Sequence, residues 1–426
     1  MKVLQNLARI FGVPDLRRKI VFTAVLILIF RLVAHIPASG VDRAELARLF
    51  AQSPFLSLLD IFSGGTLANF SILALGINPY INASIIMQLM TLVSPQLEEL
   101  SKEGDQGRAK INQYTRFMTV PLACIQAVGM YVLLRSQGII AFGSVVDIAA
   151  LVITMTAGTI FVMWLGELIT EHGIGNGISL LIFAGIVGRM PVLAGKTFTT
   201  LTPEDVFPFA TFFAVGLLVI LGVVIINEAT RRIPVQYARR GSHGGLVSQG
   251  THLPMRINQA GVIPIIFAVS LVLAPSMIGQ FLANNPNPAL SRFGQTLTHA
   301  FTPSNPIYTL VYFGLVLGFT FFYTAIVFNP TKIADEIKKV GGFIPGIRPG
   351  SATSEYLSFV LTRITLPGGI FLGAIAVLPS VIQGFTGIKA LAIGGTGLLI
   401  VVSVVLETVR KMEAQLVTRN YDKFVQ

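Results

Sequence analysis

The sequence predicts an all-α polytopic membrane protein of ten transmembrane helices, and three observations predict it. Hydrophobic residues make up 53% of the 426 positions while charged residues make up only 12%. A soluble domain carries about a quarter charged residues, so much of this surface faces lipid. Ten apolar runs recur along the chain, each near the ~20 residues that cross ~30 Å of hydrocarbon. The lysines and arginines fall between these runs in a strongly one-sided pattern.

The runs are residues 20–36, 72–93, 116–134, 147–167, 177–193, 206–226, 258–282, 306–328, 365–383 and 390–409. The first follows Lys2, Arg9, Arg17, Arg18 and Lys19. It is longer than a signal-peptide core and no small-residue cleavage site follows, so it reads as a retained helix that also targets the chain. An even number of spans places both termini on one side. Twenty-three of the thirty-one Lys and Arg lie on that side, in the terminal segments and in the connections 94–116, 227–257 and 329–364. Seven lie opposite: Arg43, Arg48, Arg135, Arg189, Lys196, Arg292 and Lys389. The positive-inside rule then puts both termini and the long basic loops in the cytoplasm. The net charge of +11 is thereby accounted for as topology rather than as a nucleic-acid face.

Arg31 lies inside the first span. At the bilayer centre it would cost about 2.5–3.5 kcal/mol on insertion scales. It stands six residues before Pro37, close enough to snorkel to the outer interface; contact with a partner or a pore is the other reading.

The spans divide into an N-terminal half, 1–193, and a C-terminal half, 206–426, with the break at 194–205. Five spans in each half force opposite orientations, as in an inverted repeat. The expectation rests on counting, since no residue-level self-similarity accompanies it. Three features depart from a simple bundle. Residues 37–71 are polar and glycine-containing, and enclose FLSLLDIFSGGTL (55–67), too short to cross and too apolar for an ordinary loop. It reads either as a helix buried in the protein's own external cavity or as an interfacial surface helix. Pro79 breaks the second run, and Pro264 and Pro275 are expected to interrupt the seventh. Irregular backbone at membrane depth is tolerated only where it lines water or is shielded by protein, so these breaks point to a pathway.

Catalytic chemistry is missing. No HExxH, P-loop or GxSxG occurs, and His35, His172, His243, His252 and His299 do not pair at metal-ligand spacing. The single Cys124 excludes a disulfide framework. Asp147, Glu167 and Glu407 fall at span ends, whereas coupled transporters use carboxylates near the midplane. GIGNGIS (173–179) lacks the GxGxxG spacing and reads as a tight turn with Asn or Gly caps. No cofactor is expected. A secondary transporter with broken helices and inverted halves remains a rival class, predicting a saturable small-solute site. An intramembrane protease lacks a candidate catalytic pair.

Five blocks carry a resemblance that covers nearly the whole chain. They are DIFSGGTLANFSILALGINPYINASIIMQLMTL (60–92), KEGDQGRAKINQYTR (102–116), GELITEHGIGNGISLLIF (166–183), THLPMRINQAGVIPIIFA (251–268) and NPTKIADEIKKVGGFIPGIRPG (329–350). In order and in length they resemble the SecY family, the channel-forming subunits of the bacterial Sec translocon. The resemblance implies an hourglass pore, a plug, a lateral gate to lipid, and cytoplasmic loops that dock the SecA motor or the ribosome. It implies small SecE-like and SecG-like partners and a place in the bacterial cytoplasmic membrane. Signal sequences and nascent polypeptides would be the cargo.

Residue by residue, the resemblance implies a constriction of Ile77, Ile81, Ile178, Ile182, Ile266 and Ile400. From spacing alone these are equally ordinary core or lipid-facing isoleucines. A ring of stiff apolar side chains seals against water and ions by dewetting while offering no fixed hydrogen-bond partner. The implied plug is about 55–70, with Leu58, Leu59, Ile61, Phe62, Ser63 and Leu67, and with Gly64 and Gly65 letting it swing. The implied gate cluster is Asn82, Gln126 and Asn258, between the second and third helices and the seventh and eighth. Arg348, with Arg239 and Arg240, would contact the motor or ribosome. The tip RRGSHGGLV (239–247) departs from relatives that carry more basic residues there.

Overall fold

A computed structural model describes residues 13–38, 46, 60, 63, 65–136, 138–139, 144–200, 206–240, 246–283, 286–303, 305–386 and 394–425. Among these, ten long helices form where the apolar runs predict them. They are α1 (Pro14–Val33), α2 (Asn78–Val93), α4 (Asp105–Ser136), α5 (Val145–His172), α6 (Gly177–Thr200), α7 (Val206–Glu228), α8 (Ile263–Ala283), α10 (Pro306–Val327), α12 (Ser351–Thr386) and α13 (Gly394–Val425). Three short helices lie between them: α3 (Pro95–Lys102), α9 (Pro288–Ala300) and α11 (Pro330–Lys339). Among the described residues, five segments are long and apolar enough to cross a membrane by length and composition: Asp105–Arg135, Val145–His172, Ile263–Gln280, Pro306–Lys339 and Ser351–Leu378.

Proline acts differently from expectation at three places. Pro79 and Pro264 start their helices rather than interrupt them, because the first turn has no intrahelical use for the missing N–H. The second run therefore becomes helical only at Asn78, and residues 72–77 are turns. Pro275 lies within α8, which continues through it to Ala283.

The connection 227–257 is a hairpin rather than an irregular loop. Strand β1 (Thr230–Arg240) pairs antiparallel with β2 (Leu246–Arg256), Thr230 opposite Arg256 and Arg240 opposite Leu246. Alternation explains it: Ile233, Val235 and Tyr237 share one face. That face meets Met255, Phe328, Ile337, Ile344, Leu357 and Leu361 in one apolar cluster, which roots the hairpin on α11 and α12. The short β3 (Gly342–Phe343) extends the sheet in the order β2-β1-β3.

The chain forms two compact units. The first comprises Met1–Phe209, Leu273–Asn305 and Val404–Gln426; the second comprises Ala210–Val272 and Pro306–Ser403. In the first unit α2 packs on α4, α4 on α5, and α5 on α6, with α1 against α5 and α6. Leu16 of α1 and Ile174 form a small buried cluster with Met412 and Leu416 of α13. In the second unit α10 packs along α12.

Candidate functional site

In the first unit the site is assembled on the segment before α2. Of the residues expected in the plug, Leu58, Leu59, Ile61, Phe62 and Gly64 lie outside the described residues, while Ser63, Gly65 and Leu67 are buried. Asp60 organises the turns that lead to α2. Its carbonyl accepts from the Gly65 amide at 2.8 Å and the Ser63 hydroxyl at 3.0 Å. Its carboxylate Oδ1 accepts from the Ala68 amide at 2.7 Å, and its Oδ2 pairs with the Arg189 guanidinium of α6. Only 1% of the Asp60 side chain is exposed, so the pairing neutralises a carboxylate almost wholly removed from solvent.

Gly65 serves this arrangement in a specific way. Its φ is +86°, and a Cβ there would stand 2.9 Å from Arg189 Cδ. Glycine thus permits both the left-handed backbone and the approach of the arginine. The segment then turns back on itself. The Ala38 amide donates to the Phe70 carbonyl at 2.8 Å, and the Ile72 amide donates to the Ile36 carbonyl at 3.0 Å. Phe70, Leu73 and Ala74 are each 1% exposed. A Cβ at Gly158 of α5 would collide with the Ile72 carbonyl oxygen, so α5 lies directly against this backbone.

The isoleucines follow at once. Ile77 caps α2 and Ile81 sits one turn on, both buried. On α6, Ile182 is buried and Ile178 is half-buried against Gly166. These four belong to the first unit; Ile266 on α8 and Ile400 on α13, both buried, belong to the second. None of the six is exposed.

The glycine-rich turn before α6 is closed by the protein's own groups. Asn176 Oδ1 accepts from the amides of Ile178 at 3.1 Å and Ser179 at 3.2 Å. Thr170 Oγ1 accepts from Gly177, and Thr23 Oγ1 from Ile174. These amides are committed to a cap and a turn, which is a structural use rather than a phosphate cradle.

Of the expected gate residues, Asn82 on α2 and Gln126 on α4 are half-buried on two helices that pack together. Asn258, in the second unit, is 5% exposed. Its amide nitrogen donates to Asn227 Oδ1 at 2.7 Å and to the Gly261 carbonyl at 3.3 Å. Asn227 in turn donates to Ser403 Oγ at 3.0 Å. Sequence reasoning missed Asn227 and Ser403, for neither stands in a motif. Arg31 does more than reach an interface: its Nη2 lies 3.5 Å from the Gly185 carbonyl, and a Cβ at Gly188 would overlap it.

Arg239 and Arg240 end β1, paired with Val247 and Leu246 across the hairpin. Arg348 is exposed in the turn after β3, and its carbonyl accepts from Thr353 Oγ1 at 3.0 Å. The two basic loops are joined, because Gln236 and Tyr237 of β1 pair with Phe343 and Gly342 of β3.

This fold and site define a multi-pass helical membrane protein in which buried, self-closing backbone precedes an apolar pair at the start of a helix that begins only at Asn78. Comparison with known proteins is then specific. The SecY family profile matches residues 71–409. The protein translocase subunit SecY of Streptomyces galbus is 46% identical over 444 residues, spanning 99% of this chain and 100% of that one. The chain belongs to the SecY family. Family membership makes it a translocase subunit and not an enzyme. The fold matches a SecY structure whose plug domain stabilises the closed state of the translocation channel and maintains a membrane seal, with TM-score 0.64, 20% identity, and 94% and 92% of the two chains covered. It also matches Sec61 in the canine ribosome–channel complex from the endoplasmic reticulum, with TM-score 0.60, 19% identity, and 94% and 92% covered.

Proposed function

We propose that this chain is a passive protein-conducting channel of the bacterial cytoplasmic membrane. It passes unfolded signal-bearing polypeptides across the bilayer and releases transmembrane segments sideways into lipid. SecA or the ribosome supplies the driving force, and SecE-like and SecG-like subunits complete the complex. Both termini lie in the cytoplasm, as the twenty-three cytoplasmic basic residues against seven opposite favour.

The observation that carries this reading is the succession on one stretch of chain: a buried segment folded around Asp60, then Ile77 and Ile81 on a helix that begins only at Asn78. A segment that short cannot span the membrane, and its described part closes on itself through the Gly65 and Phe70 amides, as a removable plug requires. In this reading 55–70 is the plug, and Ile77, Ile81, Ile178, Ile182, Ile266 and Ile400 form the ring. The pore runs between a half at 1–193 and a half at 206–426, of opposite orientation. Asn82, Gln126 and Asn258 form the polar latch of a gate between them. Interhelical hydrogen bonds in membranes are worth only about 0.6 kcal/mol each, so a hydrophobic signal can open such a gate. Arg348, Arg239 and Arg240 meet the motor or ribosome, a reading supported by the β1–β3 pairing that joins their loops.

Reconstitution with the small subunits, SecA, ATP and a signal-bearing substrate tests the reading. Protection of the substrate from external protease is the expected result. ATP-independent accumulation of a small solute instead would overturn it.

A further inference from the structure

Helix α9 (Pro288–Ala300) connects α8 to α10, and of its residues only Gly294 is buried. At about 100° per residue its side chains fall into three sectors around the axis. The first faces α8. A Cβ at Gly294 would collide with the Ala283 amide nitrogen and the Gly279 carbonyl oxygen, and one at Gly279 would stand 2.6 Å from Thr298 Oγ1. Ser291 Oγ donates to the Ala283 carbonyl at 2.8 Å. Glycine at both positions lets the two backbones meet, so α9 folds back on the last turns of α8. The second sector is apolar and holds Leu290, Phe293 and Leu297, spaced i, i+3 and i+7. Leu290 is 40% and Phe293 59% exposed. The third sector is polar and holds Arg292, Gln295 and His299, all exposed. Gln295 stands about 160° from Phe293, which sets the polar sector opposite the apolar one.

The chain itself says what covers the apolar sector. The helices on either side of α9 both carry segments long and apolar enough to cross a membrane, Ile263–Gln280 and Pro306–Lys339. Four residues join Ala283 to Pro288, and five join Ala300 to Pro306. Links of that size reach no more than about 18 Å, so α9 stays at the membrane surface. Ile278, beside Gly279, is 56% exposed, so the apolar surface of α8 runs up to the point where α9 docks. No Asp or Glu occurs between Glu228 and Asp335, which leaves Arg292 in an acid-free stretch of chain.

We infer that α9 is an interfacial anchor: Leu290, Phe293 and Leu297 enter the headgroup–acyl boundary of the bilayer, and Arg292 reaches lipid phosphates from the flank of the helix. An amphipathic helix of this kind buries its apolar face ~5–10 Å below the headgroups, and a long basic side chain snorkels back to them. Through the Gly279–Gly294 contact the anchor fixes the depth at which α8 ends. It does so whatever the protein conducts.

Spin-label accessibility tests the anchor in the full chain with its partner subunits, in vesicles of phosphatidylcholine and phosphatidylglycerol. Cys124→Ala removes the single cysteine, and Phe293→Cys or Gln295→Cys then carries the nitroxide. The ratio of collisions with oxygen to collisions with a water-soluble nickel chelate should be at least about fivefold higher at 293 than at 295, because only the former lies below the headgroups. Equal ratios, with the chelate reaching both sites, overturn the anchor. A label at 293 shielded from both reagents overturns it too, since a partner protein then covers this face. If Phe293→Cys does not accumulate in membranes, Leu290→Cys in the same sector takes its place, and the same outcomes decide. Arg292→Glu, with the label at 293, should lower the ratio about twofold, because a basic residue is attracted to an anionic surface and an acidic one is repelled. An unchanged ratio overturns the phosphate contact.

Discussion

Asn258 donates to Asn227 across 2.7 Å within the second unit, and Asn227 passes the chain of hydrogen bonds to Ser403, three residues after Ile400 on α13. Both hydrogens of the Asn258 amide are thereby used, one on Asn227 and one on the Gly261 carbonyl. Its Oδ1 is buried and accepts no hydrogen bond among the described residues. An orphaned buried acceptor is costly, so Asn258 is held ready for a donor.

Replacing Asn227 with Ala removes the group that aims Asn258. A net hydrogen bond is worth about 1 kcal/mol, so the preference for intact signal sequences should relax by roughly fivefold. Export of a reporter with a defective signal, compared with its intact form, measures this. An unchanged ratio would show that Asn258 is positioned by its backbone alone.

Ile266→Asn and Ile400→Asn each place a polar amide where the parent has a side chain 6% and 0% exposed. If both belong to the proposed ring, wetting it should raise ion leak and the export of signal-defective chains together. Patch recordings and export assays on the same variants check this. Unchanged leak together with unchanged selectivity would remove the residue from the ring.

Asn176→Ala deletes the acceptor for two amides at the start of α6. Loss of such a cap costs about 1 kcal/mol, and the thermal unfolding midpoint of the purified complex should fall by a few degrees. Nucleotide should not protect either form, because the same amides are already spent on the turn. Nucleotide-dependent stabilisation in a thermal shift assay would contradict that assignment.

Gly342→Val attacks the link between the two basic loops. A Cβ at Gly342 would stand 2.8 Å from the Tyr237 ring, so β3 should separate from β1. If the loops act as one surface, SecA affinity should fall about as far as in Arg348→Glu, although no charge is altered. Binding measured on membranes carrying each variant compares them. Full affinity in Gly342→Val would mean that the loops act independently.

Much of the fold was legible because its signals are local. Apolar runs identify ten helices, and the distribution of basic residues sets an expected polarity, since the cost of placing a side chain in lipid depends on that side chain and its depth. Pro79 marked an irregularity at the right place, although its effect was to start α2 rather than to break it. The hairpin was legible in principle, in the alternation of Ile233, Val235 and Tyr237, but a basic loop between spans obscured it.

Residue order and composition therefore suffice for the ten-helix membrane class, the family membership and the expected polarity of each connection. It takes the packed chain to bring Asp60 to Arg189, Asn258 to Asn227 and Ser403, and β1 to β3 across two distant loops. The physical reason is that each of these side chains is chemically ordinary where it stands in the chain. Its partner is set by which helices pack together, and packing brings together residues that no periodicity relates.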